Sequence, residues 1–163
     1  MTKEFTSVVI VEDDETTRKF LDTKINWTKY GYELTGVAED GISGLELIEE
    51  TEPDVVITDI QMPCMDGLTM LKEMKKRGLQ PRIIIISSYD EFEYAKTAIS
   101  LSVDAYINKP LSEVGLFKVL NQTKEQLDND RRISAQIETS LPLLRQFFLT
   151  RLFSGYYHDA DIE

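Results

Sequence analysis

The sequence predicts an α/β fold in which helices cover both faces of a five-stranded parallel sheet. Short apolar runs typical of buried strands alternate along the chain with segments of helical periodicity. No P-loop and no G-x-G-x-x-G interrupts this alternation, which disfavours the common nucleotide-binding folds. Strands joined by helical crossovers pair in parallel, because a right-handed helical connection returns the chain to the same end of the sheet.

The strand assignments rest on short runs rich in Val and Ile. The run 82–87 is the most apolar in the chain, whereas 32–38 is weaker and is predicted at an edge of the sheet. The run 55–57 leads directly to Asp59, as in a strand that is buried on both faces. The predicted strands cover 7–11, 32–38, 55–59, 82–87 and 104–108.

Helical periodicity and capping residues place helices between these strands. Asp14 is a suitable N-cap for the first helix. The fourth helix is expected to turn Phe92, Ala95 and Ile99 toward the sheet. The predicted helices cover 15–26, 41–50, 67–76, 91–102 and a long segment that begins near 112.

The last predicted helix is unusually long, since no Gly or Pro occurs between 116 and 141. Leucines and isoleucines follow a heptad spacing that is interrupted by Thr123, Asp130 and Ser134. A single solvated helix and a coiled coil both fit this pattern. The strongly apolar segment 143–153 indicates a surface that needs a partner.

Composition narrows the class of protein. With 42% hydrophobic and 29% charged residues, the chain of 163 residues fits one globular domain plus an appendage, and no apolar run could span a bilayer. The single cysteine, Cys64, excludes a disulfide framework, and the single histidine, His158, nearly excludes a His-based metal site or a Ser-His-Asp triad. We therefore expect a cytoplasmic protein that makes no contact with a membrane.

A net charge of −11 argues against DNA binding by this chain, because neutralising phosphates requires an excess of Lys and Arg.

Charged and hydroxyl side chains follow four of the predicted strands. They are Glu12, Asp13, Asp59, Ser87 and Lys109. The carboxyl ends of parallel strands meet at one edge of a sheet, so we expect these side chains to converge. Carboxylates that lie close together repel, by about 4 kcal/mol for a pair about 4 Å apart. A divalent cation removes this cost, and an all-oxygen ligand set suits Mg²⁺; the alternative is that one carboxylate stays protonated.

Such a cluster can accept a phosphoryl group. Asp59 would attack phosphorus, the Lys109 ammonium and Mg²⁺ would neutralise the transferred oxygens, and the Ser87 hydroxyl would donate to one of them. Each residue alone has a simpler explanation, because Asp commonly begins turns or caps helices. Their joint placement at four strand ends favours the phosphoryl site.

The segments VVIVEDDE, DIQMPCMDGL, IIIISSYDEFEYA and DAYINKPL resemble the signature segments of the response-regulator receiver domain of two-component signalling. The resemblance covers about residues 5–126. It implies a flavodoxin-like, doubly wound sheet of strand order 2-1-3-4-5 with five helices, the last of them extended. Residues 1–126 would form the receiver domain, and 127–163 a helical linker or the start of a following region.

The resemblance also implies a role for each site residue. Asp59 matches the phospho-acceptor and Asp13 the direct Mg²⁺ ligand. The others are Glu12 as a water-mediated ligand, the Gln61 backbone carbonyl as the third protein oxygen for the metal, Ser87 as the switch hydroxyl, Tyr106 as the switch aromatic, Lys109 as the family's lysine, and Asp14 and Tyr89 beside the site. Gln61 and Tyr89 would flank the path of attacking water.

The segment 89–111 and the tail QFFLTRLFSG are similar to receivers joined to AraC-type DNA-binding domains. The resemblance implies a receiver that takes a phosphoryl group from a membrane-bound sensor histidine kinase. Phosphorylation would switch its association as a homodimer and so control a transcriptional effector outside this chain. The resemblance implies no enzyme activity beyond self-catalysed phosphoryl acceptance and autodephosphorylation.

Two other functions compete with this interpretation. An aspartyl-phosphate hydrolase of the haloacid dehalogenase type would need a second Asp two residues after the nucleophile, where this chain has Gln61. A phosphorylation-independent scaffold with a receiver-like fold would not need the complete set of site residues that this sequence carries.

Overall fold

The computed structural model describes the backbone of residues 3–88 and 92–156, and all of their side chains except those of 92, 147–148 and 150–156. The chain divides into two units, Met1–Thr123 and Lys124–Glu163. The first unit contains a parallel five-stranded sheet of order β2-β1-β3-β4-β5. Its strands are β1 (Thr6–Val11), β2 (Tyr32–Ala38), β3 (Val55–Asp59), β4 (Arg82–Ser87) and β5 (Ala105–Asn108). The predicted flavodoxin-like α/β fold is confirmed.

Helices connect the strands, and the first three begin just beyond the carboxyl edge of the sheet. Asp14, Asp40 and Asp66 cap them, because each carboxylate accepts a hydrogen bond from a backbone N–H of the first turn. The helices are α1 (Glu15–Lys19), α2 (Gly41–Thr51), α3 (Gly67–Lys76), α4 (Phe92–Ser100) and α5 (Glu113–Tyr156).

The central strands are buried because they carry apolar side chains on both faces. Residues 8–11, 55–57 and 83–86 are almost completely removed from solvent. β2 is an edge strand, as predicted, and exposes Glu33 and Thr35 on one face. The sheet therefore forms a rigid support for the loops at its carboxyl edge.

The strand register brings the predicted site residues to one edge. Thr58 pairs with Val11, which directly precedes Glu12. Asp59 pairs with Ile86, and Ser87 pairs with Asn108. The residues that end or follow β1, β3, β4 and β5 consequently lie side by side.

The first helical segment differs from the prediction. The hydrogen bonding widens into a π-helical segment at Phe20–Lys24, and a 3₁₀ turn follows at Trp27–Tyr30. Trp27 is buried and donates its indole N–H to the Leu21 carbonyl at 2.8 Å. The predicted α-helix over 15–26 is therefore wrong after Lys19, where the π-helical segment replaces it and ends at Lys24. The Trp27 indole occupies a carbonyl that a longer α-helix would use.

α4 turns a different face to the sheet from the one predicted. Ile99 is 77% exposed, whereas Ala98 and Leu101 are buried. The inward orientation expected for Ile99 is therefore wrong. Ala95 is half-buried, and the side chain of Phe92 lies outside the described part of the chain.

The beginning of α5 packs within the first unit. Leu116, Phe117 and Leu120 are buried there. The buried Tyr32 hydroxyl of β2 donates a hydrogen bond to the Leu120 carbonyl at 2.5 Å, and Tyr30 stacks on the Phe117 ring. These contacts attach the helix to the edge of the sheet.

In the second unit α5 continues through Pro142. Large apolar side chains on this part recur every three or four residues, which puts them on one helical face. The exposed members are Ile133, Ile137, Leu141 and Leu144. Within the described residues, no helix combines the length and the apolar character that crossing a membrane requires.

Candidate functional site

The candidate site lies at the carboxyl edge of the sheet, beside β1 and β3. Asp59 is the last residue of β3 and is 7% exposed, and Glu12, directly after β1, is 1% exposed. Asp13 is exposed. One carboxylate oxygen from each of these three residues lies within 4.8 Å of the others. The predicted convergence of the acidic residues is therefore observed.

Lys109, which follows β5, bridges two of these carboxylates. Its Nζ donates to Asp59 Oδ2 at 2.8 Å and to Glu12 Oε1 at 3.2 Å. Burial lowers the pKa of the Lys109 ammonium, but the hydrogen bonds to Asp59 and Glu12 outweigh it, so the pKa is raised above its usual value. The ammonium therefore stays charged at neutral pH.

The buried Glu12 carboxylate is only partly satisfied. Its Oε1 also accepts the backbone N–H of Asp14 at 2.9 Å. Its buried Oε2 is 3.0 Å from Lys109 Nζ, yet among the described residues it accepts no hydrogen bond. Burial raises the pKa of Glu12 to about 7, against the opposing effect of its hydrogen bonds to Asp14 and Lys109. A further positive charge beside this buried carboxylate would favour its ionised form.

The donor set fits a hard divalent cation. It consists of oxygen atoms from three carboxylates, one of which has a buried oxygen without a hydrogen bond. Mg²⁺ and Ca²⁺ prefer such ligands, and Mg²⁺ is commonly held by one or two carboxylates and by oxygens of its substrate. An acidic cluster that could hold a metal ion is thus present where the sequence predicts it.

The loop after β3 packs tightly under Asp59. Asp59 Oδ1 accepts the backbone N–H of Ile60 at 2.6 Å, and Gly67 donates its N–H to the Ile60 carbonyl at 2.7 Å. A Cβ atom at Gly67 would overlap the Asp59 carbonyl oxygen and lie 3.2 Å from Ile60 Cα. The chain can close this loop only with a glycine at that position.

The loop after β1 is held by Asp14 and by Arg18, a residue that sequence analysis missed. Asp14 Oδ2 accepts the Thr17 N–H at 2.7 Å, and this bond lowers the pKa of Asp14. Arg18 donates from Nη1 to the carbonyls of Glu12 and Asp13, each at 2.9 Å. An Arg one turn inside a helix that follows an acidic run was the only available signal.

Of the remaining predicted residues, the structure describes Ser87, Tyr106 and Gln61. Ser87 is buried at the end of β4. Tyr106 of β5 is half-buried and packs against the hydrophobic core. Gln61 is exposed, and its side-chain amide donates to the Tyr94 hydroxyl at 3.2 Å. Tyr89 lies outside the described residues.

Comparison with known proteins agrees with this geometry. The sequence model of the response regulator receiver domain matches residues 8–121. The transcriptional regulatory protein HptR of Staphylococcus aureus is 34% identical over 143 residues, which cover 85% of this chain and 56% of that protein. The chain therefore spans about half the length of this relative.

Two solved structures extend the comparison. The receiver domain of AraT, a response regulator from Geobacillus stearothermophilus, is 36% identical with a TM-score of 0.72, over 77% of this chain and 98% of that one. The CheX–CheY–BeF₃–Mg²⁺ complex from Borrelia burgdorferi is 27% identical with a TM-score of 0.65, over 71% of this chain and 86% of that one. Both structures have the fold described above.

Proposed function

This chain belongs to the response regulator receiver-domain family, and we propose that it accepts a phosphoryl group on Asp59 from a sensor histidine kinase. The observation that carries the proposal is the Lys109 ammonium, which bonds to Asp59 and Glu12 beside a third carboxylate. A nucleophilic carboxylate, a fixed cation and an acidic metal site are the parts that phosphoryl transfer requires.

The transfer exchanges one bond to phosphorus for another. A carboxylate oxygen of Asp59 forms an O–P bond while the P–N bond to the donor histidine breaks. Lys109, which is hydrogen-bonded to Glu12, stays beside Asp59 and neutralises charge on the transferred oxygens. The Ser87 hydroxyl donates a hydrogen bond to one of these oxygens. The buried end of β3 keeps the nucleophile in place.

We propose that Asp13, Asp59 and the Gln61 carbonyl would hold Mg²⁺ directly, with Glu12 acting through water. When bound, the ion supplies positive charge that offsets the carboxylates and the phosphoryl oxygens. The CheX–CheY–BeF₃–Mg²⁺ complex from Borrelia burgdorferi includes Mg²⁺, which supports this choice of metal.

Incubation with acetyl phosphate and Mg²⁺, followed by peptide mapping by mass spectrometry, tests the proposal directly. We expect phosphate on the peptide that contains Asp59, and none when EDTA is present. A chain that stays unmodified at saturating Mg²⁺ would favour a phosphorylation-independent scaffold instead. The chain is proposed to turn over no other substrate, because Gln61 stands where a hydrolase of the haloacid dehalogenase type has its acid–base Asp.

We propose that the whole protein is a transcriptional regulator and that residues 127–163 link the receiver, residues 1–126, to its effector region. The name of the similar S. aureus protein supports the regulatory role. An AraC-type effector remains an expectation from sequence resemblance alone.

The chain by itself is expected not to bind duplex DNA at physiological salt. Its net charge of −11 repels phosphates and releases few counterions. Fluorescence anisotropy with random-sequence duplexes checks this, and a micromolar or tighter dissociation constant would contradict it. The full-length regulator is the matched comparison, and it should bind.

Phosphorylation is expected to strengthen self-association through the face formed by α4, β5 and α5. Ser87 would turn toward the new phosphoryl oxygens, and the half-buried Tyr106 ring would move into the space beside it. Coupling of this kind is typically worth about 5- to 150-fold in affinity. Sedimentation with and without beryllofluoride, a phosphoryl mimic, measures the change.

Ser87→Ala is the control for this switch, and it should remove the difference between the two sedimentation experiments. Equal dimer constants in the unsubstituted chain would instead mean that the apolar segment 143–153 associates regardless of phosphorylation.

A further inference from the structure

The acidic loop after β1 contains Asp13, whose carboxylate is not fixed by the described residues around it. In the part of the chain that the structure describes, no hydrogen bond or ion pair fixes the Asp13 carboxylate, whereas Glu12 and Asp59 share Lys109. Repulsion from these two carboxylates would push Asp13 outward. Whatever orients Asp13 must therefore act on its backbone.

Arg18 makes the contacts that fix this backbone. Its Nη1 donates to the carbonyl oxygens of Glu12 and Asp13, each at 2.9 Å, and its Nη2 is 3.2 Å from Glu39 Oε1. The side chain is only 19% exposed. The Glu12 and Asp13 carbonyls belong to the two peptide groups that flank the Asp13 Cα, so their orientation sets the direction of its Cα–Cβ bond.

We propose that Arg18 is a positioning residue that holds the β1–α1 loop so that Asp13 faces the divalent cation. The planar guanidinium directs its N–H groups toward the two carbonyls and Glu39 in fixed directions, whereas the ammonium of a flexible Lys side chain has no such fixed geometry. Arg18 touches neither the metal nor the phosphoryl group in this role. The inference rests on the Mg²⁺ site of the proposed function.

Electrostatics alone predicts the opposite result, and this makes the inference testable. Removing a positive charge near an acidic site should strengthen cation binding, so Arg18→Ala would bind Mg²⁺ more tightly if charge were all that mattered. Positioning predicts weaker binding. Arg18→Lys keeps the charge and loses the fork, so only positioning predicts a change in that variant.

Isothermal titration with MgCl₂, without a phosphodonor, is the first measurement. We expect Arg18→Lys and Arg18→Ala to raise the Mg²⁺ dissociation constant about 10-fold, the size typical of residues that orient metal ligands. Lys19→Ala is the matched control, because it removes a charge from the same helix, where Lys19 pairs only with Glu15 at 2.6 Å in the ion pairs observed. It should leave the constant unchanged.

Amide hydrogen exchange without metal is the second measurement. The Asp14 N–H, bonded to Glu12 Oε1 at 2.9 Å, should exchange several-fold faster in Arg18→Lys while the amides of β3 keep their protection. Unchanged Mg²⁺ affinity and unchanged Asp14 exchange in this variant would overturn the role of Arg18.

The two measurements also separate this inference from the proposed function. An unsubstituted chain that binds no Mg²⁺ would overturn both. If the unsubstituted chain binds Mg²⁺ and Arg18→Lys weakens that binding, but the chain takes no phosphate, only the proposed function is overturned.

Discussion

Asp59→Asn is expected to abolish phosphorylation completely while leaving the chain folded. The amide nitrogen and oxygen of Asn are poor nucleophiles, so no O–P bond can form. The Asn oxygen can still accept the Ile60 N–H that Asp59 Oδ1 accepts at 2.6 Å, and removing one of three clustered carboxylates relieves repulsion. Incubation with acetyl phosphate and Mg²⁺, followed by intact-mass measurement, checks the loss.

Asp66→Asn is the matched control for this experiment. It makes the same chemical change in the same loop. Asp66 caps α3 by accepting the Thr69 N–H at 2.7 Å, and Asn is as good an N-cap as Asp. This variant should be phosphorylated like the unsubstituted chain. Phosphate on the Asp59→Asn chain, at any residue and at the normal rate, would remove Asp59 from its proposed role.

Gly67→Ala is expected to damage both stability and phosphoryl acceptance, although Gly67 carries no chemistry. The new methyl group would overlap the Asp59 carbonyl oxygen, a backbone atom that cannot rotate away. Overpacking typically costs about 1–3 kcal/mol, and we expect the upper end of that range in the free energy of unfolding. Displacing the nucleophile by about 1 Å should also slow phosphorylation about 100-fold.

Urea denaturation and the rate of acetyl phosphate labelling measure these two effects. Gly78→Ala is the control, because Gly78 has a φ of 74° but nothing within 4 Å of an added Cβ. Its cost should be limited to the left-handed backbone, about 1 kcal/mol, with labelling unchanged. A Gly67→Ala chain as stable and as reactive as the unsubstituted one would show that the loop is not tightly closed.

The strands could be predicted closely because burial on both faces requires a short run of apolar residues in the sequence. The runs at 32–38 and 82–87 begin and end where the structure has β2 and β4. The Asp14 cap was equally visible, since the capping bond reaches only to Thr17. In each case the deciding contacts are local or depend only on hydrophobicity.

Other features depend on contacts between residues that are distant in sequence, or on a choice between side chains of equal hydrophobicity. The phase of α4 could not be predicted, because Ile99 is as apolar as Leu101 and only packing against the sheet selects between them. The end of the first helical segment at Lys24 depends on the hydrogen bond from the Trp27 indole to the Leu21 carbonyl.

The same limit applies to the candidate site. Its acidic residues were visible as strand-end residues, because parallel topology brings such ends together. The buried Glu12 oxygen without a hydrogen bond and the Arg18 bonds to two carbonyls were not visible, since both depend on where main-chain atoms lie.

Trp27 gives the protein an intrinsic optical reporter. It is the only tryptophan of the chain, it is buried, and its ring meets Tyr32 edge-on with centroids 6.4 Å apart. Its emission therefore comes from a single environment, at the junction between the end of the first helical segment and the edge strand. Because the Tyr32 hydroxyl also bonds to α5, fluorescence from this one indole is sensitive to detachment of that helix from the sheet.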